Sequence, residues 1–296
     1  MIARILLYSL ISFSCFSLTL KAMAFETVIS EVKDFAEFGK TEQSVFIRAK
    51  KPTTRSVLVI HGLNLLPSKM NSVSEFYYNE GFNVLRLTLQ GHDGNWEAYK
   101  KVTADIWIAD VEKAFSFITS SVPGAAIDLF GYSLGAAAGI AAEQNGKLEF
   151  ERMVLAAPPF EVTRVAALVE ALFDFENLSI PSRLSPIYIS GYGANPATPV
   201  KAYKALFELR KKIQQNVPQG FVNKPGIVFV SRKDEVVDAV NSVKFVESVS
   251  SFTTFYVEKK NSNLRPVMNH LIIDEPSLGE TWPIMVEEIR RFNTVR

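Results

Sequence analysis

The 296-residue chain is 48% hydrophobic, enough to bury a sizeable core in one domain carrying an insertion, or in two small ones. Thirty-two Lys and Arg against thirty-one Asp and Glu leave a formal charge of +1, a balance that calls for no nucleic acid and no strongly charged surface partner. The sequence contains no internal repeat, heptad run or low-complexity tract.

Residues 1–24 differ in character from the rest of the chain. Arg4 precedes an apolar stretch, Ile5 to Leu20, broken by serines, Tyr8, Cys15 and Thr19, and Ala22-Met23-Ala24 supplies an A-x-A cleavage site. This layout predicts a secretory signal peptide over 1–24 and a mature domain over 25–296, exported to the periplasm or the medium. The run is short for a bilayer span, so no stable span is expected in the mature chain; an uncleaved anchor is the alternative. A lipid anchor on Cys15 is discounted, because Ser12 stands three positions upstream, where an aliphatic residue is usual. Cleavage would leave a chain with no cysteine, hence no disulfide to lose outside the cytoplasm.

Strands and helices then alternate. Ser44 to Arg48 is expected as an early strand that could run antiparallel to the others, and Ser56 to Ile60 as a strand buried on both faces. A helix over Ser68 to Asn79, a strand over Phe82 to Leu89 and an amphipathic helix over Val102 to Thr119 come after it. Next come a strand over Ala126 to Phe130, a helix over Leu134 to Gln144 and a strand over Met153 to Ala157. The alternation pauses between about 160 and 224, where two amphipathic helices, Val162 to Phe175 and Val200 to Gln215, flank the Pro/Gly/Asn-rich piece Ser190 to Pro199. It resumes with strands over Gly226 to Ser231 and Phe252 to Val257 and helices over Ala239 to Ser248 and Trp282 to Phe292. The expected fold class is α/β, a mostly parallel sheet with helices on both faces. The helical insertion at about 160–224 would cap the carboxyl end of that sheet, where open α/β sheets bind ligands.

Gly131-Tyr132-Ser133-Leu134-Gly135, between a strand and an alanine-rich helix, has the layout of a nucleophile elbow. Gly131 and Gly135 leave room for so tight a turn, which projects the Ser133 hydroxyl above the sheet. A serine needs a base, and the chain order serine, acid, histidine for this elbow selects His270 over His61 and His92. Asp234, just beyond the strand over Ile227 to Val230, is the expected acid, with Glu235 and Asp238 as neighbouring alternatives. The oxyanion is expected to meet the backbone N–H of Leu134 and that of Leu63, where Gly62 lets the chain approach closely. His61 is assigned to shaping that loop, and His92 with Asp93 to organising a loop beneath the site. Taken singly, each of these residues has an ordinary structural reading. Their order, and the placement of Ser133, Asp234 and His270 each beyond a strand, carry the inference.

Five motifs, His61-Gly62-Leu63, Gly91-His92-Asp93-Gly94, Gly131 to Gly135, Asp234 to Val237 and Asn269-His270, resemble the serine hydrolases of the α/β-hydrolase superfamily. The monoglyceride-lipase-like and carboxylesterase branch is nearest, over roughly residues 44–293, with Tyr132 and Asp93 departing from the histidine and glycine often found there. The resemblance implies a serine esterase that forms an acyl-serine on a small-molecule or lipid ester, with no metal and no organic cofactor. Acyl transfer, thioester or peptide cleavage on the same residues is one alternative. A non-catalytic binding protein with this fold is the other.

Overall fold

The computed structural model describes residues 28–294 apart from 184, 218–223 and 266. The expected signal peptide, residues 1–24, lies outside the described residues.

Strand β1 (Ile29–Val32) and the short helix α1 (Phe35–Phe38) precede β2 (Ser44–Ile47) and the buried β3 (Arg55–Ile60). Helix α2 (Asn71–Asn79), led in by a 3-10 turn over Pro67–Met70, returns the chain to β4 (Asn83–Leu87). The short α3 (Trp96–Tyr99) and the long α4 (Ala104–Ser121) lead to β5 (Ala126–Tyr132), α5 (Leu134–Gln144) and β6 (Met153–Ala156). Beyond β6 the chain forms α6 (Arg164–Ala167), β7 (Ser179–Pro181), α7 (Pro186–Ile189), β8 (Ala197–Pro199) and α8 (Val200–Asn216). Then β9 (Gly226–Val230), α9 (Ala239–Val249), β10 (Thr253–Tyr256), α10 (Glu275–Leu278) and α11 (Trp282–Thr294) complete the domain.

The main sheet has the order β1-β2-β4-β3-β5-β6-β9-β10. It is parallel except where β2 runs against β4, with β1 parallel to β2 at that edge. Alternate side chains of each central strand feed two separate cores, as the period of a strand dictates. Leu58, Ile60, Leu85 and Leu129 face α4, α5, α8 and α9, whereas Val57, Val59, Val84 and Phe130 face α2 and α11. Both faces are covered, which is why β3 and β5 are near-continuous apolar runs.

The insertion departs from expectation in its first half. In place of the single helix expected over Val162 to Phe175, the chain forms one turn, α6, and a 3-10 turn over Leu168–Leu172. Thr163 caps α6 through the Ala166 N–H, but neither turn buries a side chain, so no packed face propagates a helix. By contrast α8 buries Ala202, Ala205, Leu206, Leu209 and Ile213 in the core shared with α4 and α5. The piece between them includes a small antiparallel pair, β7 with β8. No helix among the described residues is long and apolar enough to cross a membrane.

Candidate active site

Ser133 sits between β5 and α5 with φ 48° and ψ −113°, a strained backbone for a residue bearing a Cβ. The small residues around it are a steric necessity. A Cβ on Gly135 would lie 2.4 Å from the Ile60 carbonyl oxygen, and one on Gly131 would lie 2.6 Å from Ala136 Cα. A Cβ on Gly62 would meet the Tyr132 ring at 2.7 Å and approach Ser133 Cβ at 3.4 Å, so the loop after β3 runs directly against the serine. The Ser133 N–H donates to the Ala156 carbonyl, which ties the turn to the end of β6.

Histidine and acid reach the serine from the C-terminal third of the chain. His270 Nε2 lies 2.9 Å from Ser133 Oγ, and its Nδ1 lies 2.8 Å from Asp234 Oδ2. All three residues are buried. A carboxylate only accepts, so Nδ1 carries the proton and Nε2 is free to accept from the hydroxyl. Asp234 is itself held, its Oδ1 accepting from the N–H groups of Val236 and Val237 at 2.8 Å each.

Two further residues hold the histidine loop. Glu235 Oε1 accepts from Asn269 N at 2.9 Å and from its side-chain Nδ2 at 2.7 Å, while Oε2 accepts from His270 N at 3.0 Å. Glu235, weighed from sequence as a rival acid, therefore supports the loop instead of touching the imidazole. Asp238, the other rival, caps α9 through the Asn241 N–H. The buried Tyr132 hydroxyl donates to the His270 carbonyl at 3.1 Å. Nothing local in the sequence marks these contacts, because the acceptor on the other side of Tyr132 is a main-chain atom.

The two remaining histidines lie beside the serine, their rings 4.5 Å apart and fully buried. His61 pairs Nδ1 with the Gly62 carbonyl at 2.8 Å and accepts from Leu89 N at Nε2. His92 accepts the Asn64 N–H at Nε2, 3.0 Å away, and pairs Nδ1 with the Leu89 carbonyl. Burial holds the His61 pKa well below its usual value, and lowers that of His92 to about 4. Both rings are thus neutral spacers that fix the chain from Gly62 to Asn64. Leu63 lines the same cavity as Ser133, and Leu134 opens α5 beside it.

Residues 51–276 match the model of the hydrolase family described as serine aminopeptidase, S33. The chain belongs to this family of α/β-hydrolase serine hydrolases. A structure from work on LipS and LipT, two metagenome-derived lipolytic enzymes, superposes with a TM-score of 0.68 at 20% identity, over 86% of this chain and 97% of the other. A soluble variant of monoglyceride lipase from Saccharomyces cerevisiae, bound to a substrate analogue, gives 0.63 at 14% identity over 85% and 91%. The monoacylglycerol lipase of Paleococcus ferrophilus gives 0.62 at 16% identity over 84% and 98%. At these identities the likeness is one of fold. No protein of curated function matches the chain in sequence.

In this hydrolase the serine and the histidine open into a cavity of about 420 Å³ between the sheet and the insertion. Its walls are largely apolar, with Val162, Val169, Ile180, Leu206 and Phe207 from the insertion and Met268 from the histidine loop. Among the described residues, Glu235 is the one acidic side chain on the wall and no lysine or arginine lines it. Among the described residues no three His, Cys, Asp or Glu side chains are grouped to hold a metal ion.

Proposed function

We propose that this protein is an exported serine esterase that cleaves carboxylic esters of modest apolar acyl groups through an acyl-serine intermediate. Ser133 Oγ attacks the ester carbonyl while His270 Nε2 takes its proton, and Asp234 holds the imidazole and stabilises the imidazolium. The N–H groups of Leu63 and Leu134 bind the negative oxygen of the tetrahedral intermediate. In the loop carrying Leu63, Asn64 N is committed to His92 and Leu65 N to the Gly62 carbonyl, which supports Leu63 as its donor. Collapse breaks the ester C–O bond, His270 protonates the departing alcohol, and the acyl group remains on Ser133. Water, giving its proton to the same ring, attacks the acyl-serine and releases the acid. The scheme uses no metal and no organic cofactor.

The observation that carries this reading is the unbroken relay from Asp234 Oδ2 through His270 to Ser133 Oγ, with links of 2.8 and 2.9 Å, opening on an apolar cavity. An ester is favoured over a peptide with a free α-amine, despite the family's description. Recognition of an α-ammonium favours an uncommitted carboxylate, and Glu235, the acidic side chain on the cavity wall, already accepts three hydrogen bonds from Asn269 and His270. Export rests on the layout of residues 1–24 alone.

The test is hydrolysis of aryl esters of increasing acyl length by the mature chain. Ser133→Ala is expected to lower kcat by about 10⁴-fold or more and to leave the melting temperature essentially unchanged. Turnover that survives the substitution, or a wild type that neither turns over esters nor labels with a fluorophosphonate, removes the mechanism.

A further inference from the structure

The loop that carries Leu63 is built jointly by the core and the insertion, and one residue makes the junction. Asn64 has φ 51°, a left-handed conformation that asparagine tolerates better than most residues. Every polar group it has is engaged. Its N–H donates to His92 Nε2 at 3.0 Å, on the core side. Its carbonyl accepts from Ala194 N at 2.9 Å, on the insertion side. Its side-chain oxygen accepts from Asn195 N at 2.8 Å, and its Nδ2 donates to the Asn195 carbonyl and to Ser182 Oγ at 3.0 Å each. The amide thus pairs with both main-chain groups of Asn195, as a neighbouring strand would.

The junction continues along the chain. Leu66 N donates to the Tyr192 carbonyl at 2.8 Å, and Leu65 bridges Gly193 in antiparallel fashion. Asn195 Nδ2 reaches back to the Gly91 carbonyl at 3.2 Å, in the loop that holds His92. Asn64, Asn195 and Ser182 are all buried. Buried amide hydrogen bonds are costly to leave unmade, so a fully satisfied network of this kind holds a single geometry.

We propose that Asn64 is a positioning residue for the oxyanion site: it locks the 192–195 segment of the insertion to the loop, and so sets where the Leu63 N–H points. This rests on the esterase reading above and on Leu63 as a donor. Segment 192–195 then backs the lining residues Leu63 and Asn64 as a fixed support, unlike the exposed turns around Val165 and Leu168. A donor's value to the transition state depends on its aim at the developing charge, so a loosened loop acts on kcat.

The experiment compares wild type, Asn64→Gly, Ser182→Ala and Glu176→Gln with a short acyl aryl ester. Glycine keeps the positive φ and removes all three side-chain bonds, whereas Ser182→Ala removes one of them. Glu176 pairs with Lys204 on the outside of the insertion and controls for disturbing the insertion as such. Each variant is also titrated with an alkyl trifluoromethyl ketone and with the matching methyl ketone. Ser133 Oγ adds to the fluorinated carbonyl, its proton passes to His270, and the carbonyl electron pair becomes an oxyanion in the same donors. The methyl ketone reports binding in the cavity without that adduct.

Asn64→Gly is expected to lower kcat by about 10- to 100-fold, less than the 10²–10³ for losing a donor outright, with KM within about twofold. The trifluoromethyl ketone should weaken by the same factor as kcat/KM, and the methyl ketone should bind as to wild type. Ser182→Ala should fall between, and Glu176→Gln should match wild type. A kcat loss in Asn64→Gly without loss of the fluorinated ketone, or a lower melting temperature with kcat intact, overturns the proposal. If Asn64→Gly fails to fold, unequal losses of kcat/KM and ketone affinity in Ser182→Ala overturn it equally. A wild type inert towards both ester and fluorinated ketone strikes the esterase reading first, a result distinct from any difference among variants.

Discussion

Ser133 is held in place by what its neighbours lack, whereas His270 is held by hydrogen bonds that reach it from three other residues of the chain. On the serine side, Gly131, Gly135 and Gly62 allow close approaches to backbone or ring atoms, and a single Cβ at any of them would collide. On the histidine side the loop is fixed by one hydrogen bond each with Tyr132 and Asp234 and by three with Glu235. Close packing is all-or-none, because a backbone atom has nowhere to go. A polar brace is graded, since each bond has a modest net worth and its loss leaves the others in place. The two halves should therefore fail differently under mutation.

The largest effect is expected at Gly135. Alanine there puts a methyl group 2.4 Å from the Ile60 oxygen and 2.8 Å from the His61 oxygen, so the end of β3 and the first turn of α5 must part. The cost should be about 3 kcal/mol or more, lowering the melting temperature by about 6–12 °C. Calorimetry of Gly135→Ala checks this, and a melt within about 2 °C of wild type, well short of that shift, would show that the serine side is less rigid than its contacts require.

A middle-sized effect, on rate and not on fold, is expected at Glu235. The residue is exposed, so its loss should cost little stability, but Gln offers an amide N–H to a partner that is itself a donor. With one brace gone the imidazole samples more orientations. Glu235→Gln should lower kcat/KM by about tenfold, equivalent to about 1.4 kcal/mol, with the melting temperature nearly unchanged. Steady-state kinetics beside a thermal melt separates the two readouts; a large fall in melting temperature would place Glu235 among the structural residues instead.

The same difference decides what the sequence makes legible. The serine side is legible because its demand is local: Gly131, Ser133 and Gly135 fall within five residues, between a strand and a helix. The sheet is legible because strands buried on both faces are continuous apolar runs. Strand β1 escapes sequence reasoning because Ile29–Val32 is half exposed and lies at the sheet's edge. Asn64 escapes it for a related reason. Its partners include main-chain groups of Ala194 and Asn195, which any residues there would present, so no side chain in the sequence announces them. The helix expected over Val162 to Phe175 has an adequate apolar pattern, but its turns bury no side chain.

The smallest and most specific effect concerns a cation behind the histidine loop. Lys259 Nζ donates to the Leu271 and Ser277 carbonyls at 2.7 Å each, bracing the chain just after His270. Burial lowers its pKa from 10.5 to about 8, against the opposing pull of Glu235, Asp274 and Asp234. Because the folded value lies below the unfolded one, the unfolded chain holds the extra proton between them, and raising the pH through that window favours the folded state. The half-buried ammonium is partly screened by solvent, so the gain should be modest. Melting temperatures of wild type and Lys259→Met, followed from about pH 7 to 10, should show wild type gaining on the variant above about pH 8 as its desolvated charge is relieved. A gap that stays level across that range would mean that water reaches the ammonium. The histidine side would then be braced from an open surface and not from within the fold.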